Sequence, residues 1–251
     1  MEKSFWRRPC FRKNPSYHRK QLAIVKLSVI VPVFNENSTI DRVIDIIRSV
    51  PVPKEIIVVD DGSTDGTRER LRNRAAILDM RILFHEKNQG KGGAVRTGIQ
   101  AATGDVVIIQ DADMEYDPMD YLSLLAAMHQ SGASVVYGSR FMQNKKVTSF
   151  WHRGVNFFLT ALTNLLFGSH LTDMETCYKL FRTSVLKAIQ LNSNGFEIEV
   201  EMTVKLLKRG EKIIESPISY KGRSFHEGKK IGWKDGFRAV AALWRYRFGR
   251  E

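Results

Sequence analysis

The chain has 251 residues, 43% hydrophobic and 26% charged, with 39 Lys and Arg against 27 Asp and Glu, a net charge of +12. That length and composition describe one large globular domain or two small ones, and exclude a disordered, collagenous or coiled-coil chain. Cys10 and Cys177 cannot build a disulfide framework and form no CxxC pair, so a reducing compartment is expected.

The chain opens on residues 1–25, read as a basic, flexible tail ahead of one domain over 26–251. Its first 20 residues hold seven Lys or Arg and a single acid. They contain no apolar stretch of the kind a cleaved leader needs. Next, Leu27–Phe34 reads as a strand, and Ser38 to Asp41 as a capping box opening a helix to Ser49. Glu55–Val59, Arg81–Phe84, Asp105–Ile109 and Ser134–Tyr137 read as further strands. Between them fall helices at Thr64–Leu78, Lys91–Ala102 and Pro118–Gln130. Apolar strands alternating with helices imply an α/β, Rossmann-like, mostly parallel sheet flanked by helices.

The second half, about 150–251, reads as a helical elaboration. Helices are expected at Val155–Phe167, Ser184–Ile189 and Glu197–Lys208, and a strand at Lys212–Tyr220 interrupted by Pro217. The segment Gly154–Leu171 carries Asn156, Thr160, Thr163, Asn164, Ser169 and His170, too polar for a spanning helix. Trp233–Phe248 reads as a basic aromatic helix with an apolar stripe at 233, 237, 240, 244 and 248. Core packing and an interfacial position on a bilayer both suit that stripe.

Three strands end in acids: Asn35-Glu36, Asp60-Asp61 and Asp111-Ala112-Asp113. Ligands of open α/β sheets bind beyond the carboxyl ends of the strands, so these acids are expected to converge. In an extended segment Asp111 and Asp113 share a side, as a Mg²⁺ or Mn²⁺ pair requires, with Glu115 a possible third ligand. The Asn88-Gln89-Gly90-Lys91-Gly92-Gly93 run enters a helix whose N–H groups could meet an anion. It is neither a Walker A motif nor GxGxxG. The basic pI of about 9.8 admits nucleic acid, but no RNA or DNA motif accompanies it, so no nucleic-acid partner is expected.

The series Val31-Pro32-Val33-Phe34-Asn35-Glu36, Val59-Asp60-Asp61-Gly62-Ser63-Thr64-Asp65 and Asp111-Ala112-Asp113 resembles the family 2 glycosyltransferases of the GT-A fold. Gly138-Ser139-Arg140-Phe141, Asp173-Met174-Glu175-Thr176 and Glu227-Gly228-Lys229-Lys230 are similar to the branch making dolichyl- or polyprenyl-phosphate sugars, where mannosyl transfer is the nearest activity. The resemblance implies that Pro32, Phe34, Glu36, Asp60, Asp61 and Asp111 hold the nucleotide of a GDP- or UDP-sugar. It implies Mg²⁺ or Mn²⁺ at Asp111, Asp113 and Glu115, and Arg140, Arg153 and Arg223 at the phosphate of a polyprenyl or dolichyl acceptor. Asp113 and Arg140 would carry catalysis. The third metal position, often Gln in mannosyl enzymes of this branch, is Glu here. The reaction implied is an inverting hexosyl transfer at the cytoplasmic face of a membrane, with peripheral contact. The alternative acceptor is a soluble or glycan hydroxyl.

Overall fold

The computed structural model describes residues 25–75, 79–142, 150–222 and 233–249. Most of the basic tail, residues 76–78, Arg223 and the 227–230 motif lie outside the described residues. One sheet contains β1 (Leu27–Val33), β2 (Lys54–Asp60), β3 (Arg81–Phe84), β4 (Val106–Ile109), β5 (Val135–Ser139), β6 (Lys179–Arg182) and β7 (Ile213–Pro217). Its order is β3-β2-β1-β4-β6-β5-β7. The helices are α1 (Ile40–Ser49), α2 (Thr67–Ala75), α3 (Lys91–Ala101), α4 (Tyr121–Ser131), α5 (Phe150–Phe167), α6 (Thr183–Lys187), α7 (Ile198–Lys208) and α8 (Trp233–Phe248).

The apolar runs become central strands because both sheet faces are covered. β1 is buried except at Pro32, and β4 is buried throughout. β1 pairs in parallel with β2 and β4, and β5 in parallel with β7. β7 stops at Pro217, earlier than expected, because proline has no N–H for the ladder. The capping box does not form: Thr39 is the N-cap residue of α1 and makes no side-chain cap bond. Asp41 instead accepts from Arg70 and Arg74 of α2, at 2.7 and 2.8 Å.

β6 was not anticipated. Its four residues, KLFR, begin and end in a cation and run straight into α6, so neither length nor alternation marks them. It lies antiparallel to both β4 and β5. The carboxyl ends of the parallel strands therefore share one edge of the sheet with the amino end of β6.

A second apolar cluster joins α5, α7 and α8 through Leu159, Met174, Val200, Val204, Ala239, Ala242 and Leu243. The buried face of α8 is thus centred on 239, 242 and 243, rotated from the stripe expected at 240, 244 and 248. Trp244 and Phe248 are exposed, with their rings tilted against each other at 4.6 Å, while Val240 is half-buried. The side chains of Trp233 and Phe237 lie outside the described residues. Among the described residues no helix is long and apolar enough to cross a membrane.

Candidate active site

The β1 and β2 ends are stitched together by short polar groups. Asn35 N–H donates to Ser63 Oγ at 2.9 Å, Thr64 N–H to Asn35 Oδ1 at 2.8 Å, and Glu36 N–H to Thr67 Oγ1 at 3.0 Å. Glu36 is buried and accepts from Thr39 Oγ1 at 2.8 Å. Asn35 has φ 53°, a left-handed turn that lets Phe34 and Glu36 leave the strand in different directions. Pro32 and Phe34 stay partly exposed at this edge.

Asp60 and Asp61 are both buried but serve different neighbours. Asp60 forms an ion pair with Arg68 at 2.8 Å. Asp61 accepts from Gln89 N–H at 2.9 Å and Gly90 N–H at 2.8 Å, and bonds His85 Nδ1 at 2.7 Å. The carboxylate of Asp61 therefore braces the glycine-rich loop. Gly92 N–H is also spoken for, donating to Asn194 O at 2.7 Å. A side chain at Gly90 or Gly92 would collide with the Ser193–Asn194 backbone, which is why glycine stands at both positions. Three N–H groups of the α3 entry, those of Gln89, Gly90 and Gly92, are thus engaged within the protein.

Gln110 closes β4. Its Oε1 accepts from the hydroxyls of Tyr121 and Tyr178, both at 2.6 Å, and its Nε2 donates to Asp111 O at 2.9 Å. The main chain at Asp111 is pinned, and there the extended geometry ends. Ala112 and Asp113 form a turn, and Met114 has φ 63°. The two-residue alternation expected for Asp111, Asp113 and Glu115 fails because the segment has left the strand. Asp113 Oδ1 accepts from Glu115 N–H at 3.1 Å, and the Glu115 carboxylate accepts from Tyr220 OH at 2.6 Å. Among the described residues no three acids, histidines or cysteines gather as a metal site.

Asp111 meets a cation from its own chain. Lys91 Nζ lies 2.8 Å from Asp111 Oδ1 and 3.2 Å from Glu199 Oε1, and Lys179 Nζ lies 2.5 Å from Glu199 Oε2. Burial opposes the charge on Lys91, but Asp111 and Glu199 outweigh it and hold the ammonium protonated. Lys91, Glu199 and Lys179 were missed as site residues. Glu199 lies in the first turn of α7, whose first nine residues are all buried, so its sequence reads as a helix start and packing.

Arg140 follows β5. Its Nε and Nη2 donate to the two oxygens of Asp173, each at 2.7 Å, and Asp173 is fully buried. Burial opposes the guanidinium charge and Asp173 more than offsets it. The Arg140 side chain is only 11% exposed. Glu215 of β7 holds the Asp173 turn by accepting Thr172 N–H at 2.8 Å and Asp173 N–H at 3.0 Å. Arg153 is exposed near the start of α5. Arg223 lies outside the described residues.

Residues 28–190 match the family described as Glycosyl transferase family 2, well over half of the chain. The chain belongs to glycosyltransferase family 2. It is a glycosyltransferase enzyme of the GT-A fold. It is 28% identical over 218 residues to an undecaprenyl-phosphate mannosyltransferase of Micrococcus luteus, covering 83% of this chain and 88% of that protein. It is 27% identical over 214 residues to a dolichol-phosphate mannosyltransferase of Pyrococcus furiosus, covering 83% of this chain but 60% of the longer relative. Among solved structures, glucosyl-3-phosphoglycerate synthase of Mycobacterium tuberculosis bound to UDP superposes with a TM-score of 0.75 at 20% identity, over 98% of this chain and 88% of that one. The same synthase with Mn²⁺, UDP and phosphoglyceric acid gives 0.72 at 21% identity, over 98% and 86%.

Proposed function

We propose that the protein moves a hexose from a GDP- or UDP-sugar to the phosphate of a polyprenol or dolichol, inverting the anomeric centre, with Mg²⁺ or Mn²⁺ bound. The observation that carries this is the pairing of two unlike rims at one sheet edge: acids after β4, and a buried arginine after β5. The relatives' names support the lipid-phosphate acceptor.

The donor set at β4 fits a hard divalent ion. Such ions take one or two carboxylates plus substrate phosphate oxygens and water, so Asp111 and Asp113 suffice without a three-acid cluster. When bound, the ion neutralises charge on the leaving diphosphate. Lys91 already has Glu199 as a second carboxylate, so Asp111 can exchange the ammonium for a harder cation without stranding a buried charge. Pro32, Phe34, Glu36, Asp60 and Asp61 shape the nucleotide end of the pocket, the last two by bracing its loops. Arg140, Arg153 and Arg223 would hold the acceptor phosphate, Arg140 from a guanidinium already fixed by Asp173. A phosphate monoester has a second pKa of about 6, so it is largely a competent nucleophile at neutral pH and needs no protein base. The protein's work is to hold two anions together in line.

Membrane contact is peripheral in this reading. The outer face of α5 exposes Phe157 at 74%, Phe158 at 57% and Leu165 at 81%. The end of α8 adjoins it where Arg247 lies 5.2 Å from the rings of Phe167 and Phe248. Apolar side chains bordered by exposed Arg153, Arg238 and Arg245 suit the surface of an anionic cytoplasmic leaflet.

The test is transfer of labelled sugar from a panel of nucleotide sugars into organic solvent, with polyprenyl phosphate and Mg²⁺ or Mn²⁺ present. Metal-dependent transfer that Asp113→Ala abolishes is the expected result. A second reading, a hydroxyl acceptor, draws on Glu175, which has a buried oxygen, Oε1, without a partner and a carboxyl pushed up to about 7, chiefly by burial. Such a group could serve as a base. Product found only with sugar acceptors, and lost in Glu175→Gln, selects that reading.

A further inference from the structure

The segment after β7 is docked onto the segment after β4. Lys221 N–H donates to Glu115 O at 2.8 Å, Ser219 N–H to Asp120 Oδ2 at 2.6 Å, and Tyr116 and Tyr220 form an antiparallel bridge. Tyr220 is fixed there by its ring as well, lying edge-on to Tyr116 at 5.1 Å. From that anchor it reaches both rims of the site. Its hydroxyl donates to Glu115 Oε2 at 2.6 Å, and the Arg140 guanidinium carbon sits 5.1 Å from its ring centre.

We propose that Tyr220 is a positioning residue that registers the donor-side carboxylate of Glu115 against the acceptor-side guanidinium of Arg140. The two partners lie in loops 25 positions apart, after β4 and β5, with β6 between those strands. One rigid aromatic side chain spans the gap, with a hydrogen bond at its tip and its π face toward a cation. The hydroxyl holds Glu115 beside the turn that carries Asp113, where it can reach a bound ion directly or through water. The ring supports the flank of an arginine whose Nε and Nη2 are already fixed by Asp173. This rests on the proposed reading of the two rims, donor diphosphate at Asp113 and acceptor at Arg140.

Two substitutions separate the contacts. Tyr220→Phe keeps the ring and removes the hydroxyl. Tyr220→Leu removes both. Mn²⁺ affinity is read by electron paramagnetic resonance in the presence of GDP or UDP, without acceptor, and acceptor KM and kcat are read separately. The expected result for Tyr220→Phe is Mn²⁺ binding weakened about tenfold, the usual effect of losing a partner behind a metal site, with acceptor KM unchanged. Tyr220→Leu is expected to repeat that loss and to raise acceptor KM about fivefold in addition. Equal losses of kcat and thermal stability in both variants, without that split, would overturn the inference. So would unaltered Mn²⁺ binding in Tyr220→Phe when Asp113→Asn abolishes it. Mn²⁺ binding that survives Asp113→Asn would instead sink the donor-site reading, and this inference with it.

Discussion

The two rims of the site differ in that one of them draws on a strand of opposite sense. On the rim proposed for the donor, β1, β2 and β4 run in parallel, so each delivers the residues that follow it: Asn35 and Glu36, Asp60 and Asp61, Asp111 and Asp113. On the rim proposed for the acceptor, β5 runs with them and delivers Arg140, but β6 is reversed and delivers the residues that precede it: Asp173, Glu175 and Cys177. The sulfur of Cys177 lies 3.7 Å from Ile109 O, at the end of β4, which shows how closely the reversed strand brings them. The lesson concerns a rule of reading. Looking just past apolar strands finds sites in a parallel sheet, and looks at the wrong end of an antiparallel one.

The rims also differ in how their cations are held. Arg140 is locked in a two-bond pair with one buried carboxylate, whereas Lys91 is shared between Asp111 and Glu199. Asp173→Asn should therefore be the most damaging change to the fold. It strands a buried guanidinium, which costs about 3–5 kcal/mol, measurable as a drop in urea midpoint with unchanged m. Asp111→Asn leaves Lys91 with Glu199, and its stability loss should be no more than about half as large in the same assay. Equal losses would erase the distinction between a locked and a shared cation.

Proton binding sharpens the contrast further. Glu175, on the acceptor rim, is raised to about 7 by burial, with Lys179 pulling down and Glu199 pushing up. A carboxyl whose folded pKa exceeds its unfolded value binds more protons when folded. It therefore lowers stability as pH rises through the window from about 4.5 to about 7, and the whole penalty is present above that. Glu175→Gln should be more stable than the parent near pH 8 by on the order of 1–2 kcal/mol, after discounting for its partial exposure. Near pH 5 the difference should largely vanish. Melting curves at the two pH values check this, and a constant difference would refute it.

The smallest expected effect on folding lies on the outer face of α5. Phe157→Ser with Phe158→Ser should change stability by about 0.5 kcal/mol or less, because the side chains are exposed. The same variant should lose binding to vesicles containing anionic lipid in a sedimentation assay. Retained binding would assign membrane contact elsewhere on the chain.

Much of this protein was legible in its sequence. Apolar strands alternating with helices give the parallel half of the sheet, because a strand buried on both faces must be apolar along its whole length. The acids at the ends of β1, β2 and β4 follow from the same rule, and the motifs they form carry the family. Tertiary structure alone decided the rest. β6 is four residues long and capped by cations, so its place in the sheet depends on β4 and β5 offering it partners. The turn at Ala112–Asp113, with Met114 at a positive φ, undid an alternation that holds only while the chain is extended. Lys91 with Glu199, Arg140 with Asp173, and Tyr220 with Glu115 are pairs separated by 108, 33 and 105 positions. Local pattern reflects the backbone's own periodicity, and such pairs have none; they exist only because the sheet order brings distant loops to a common edge.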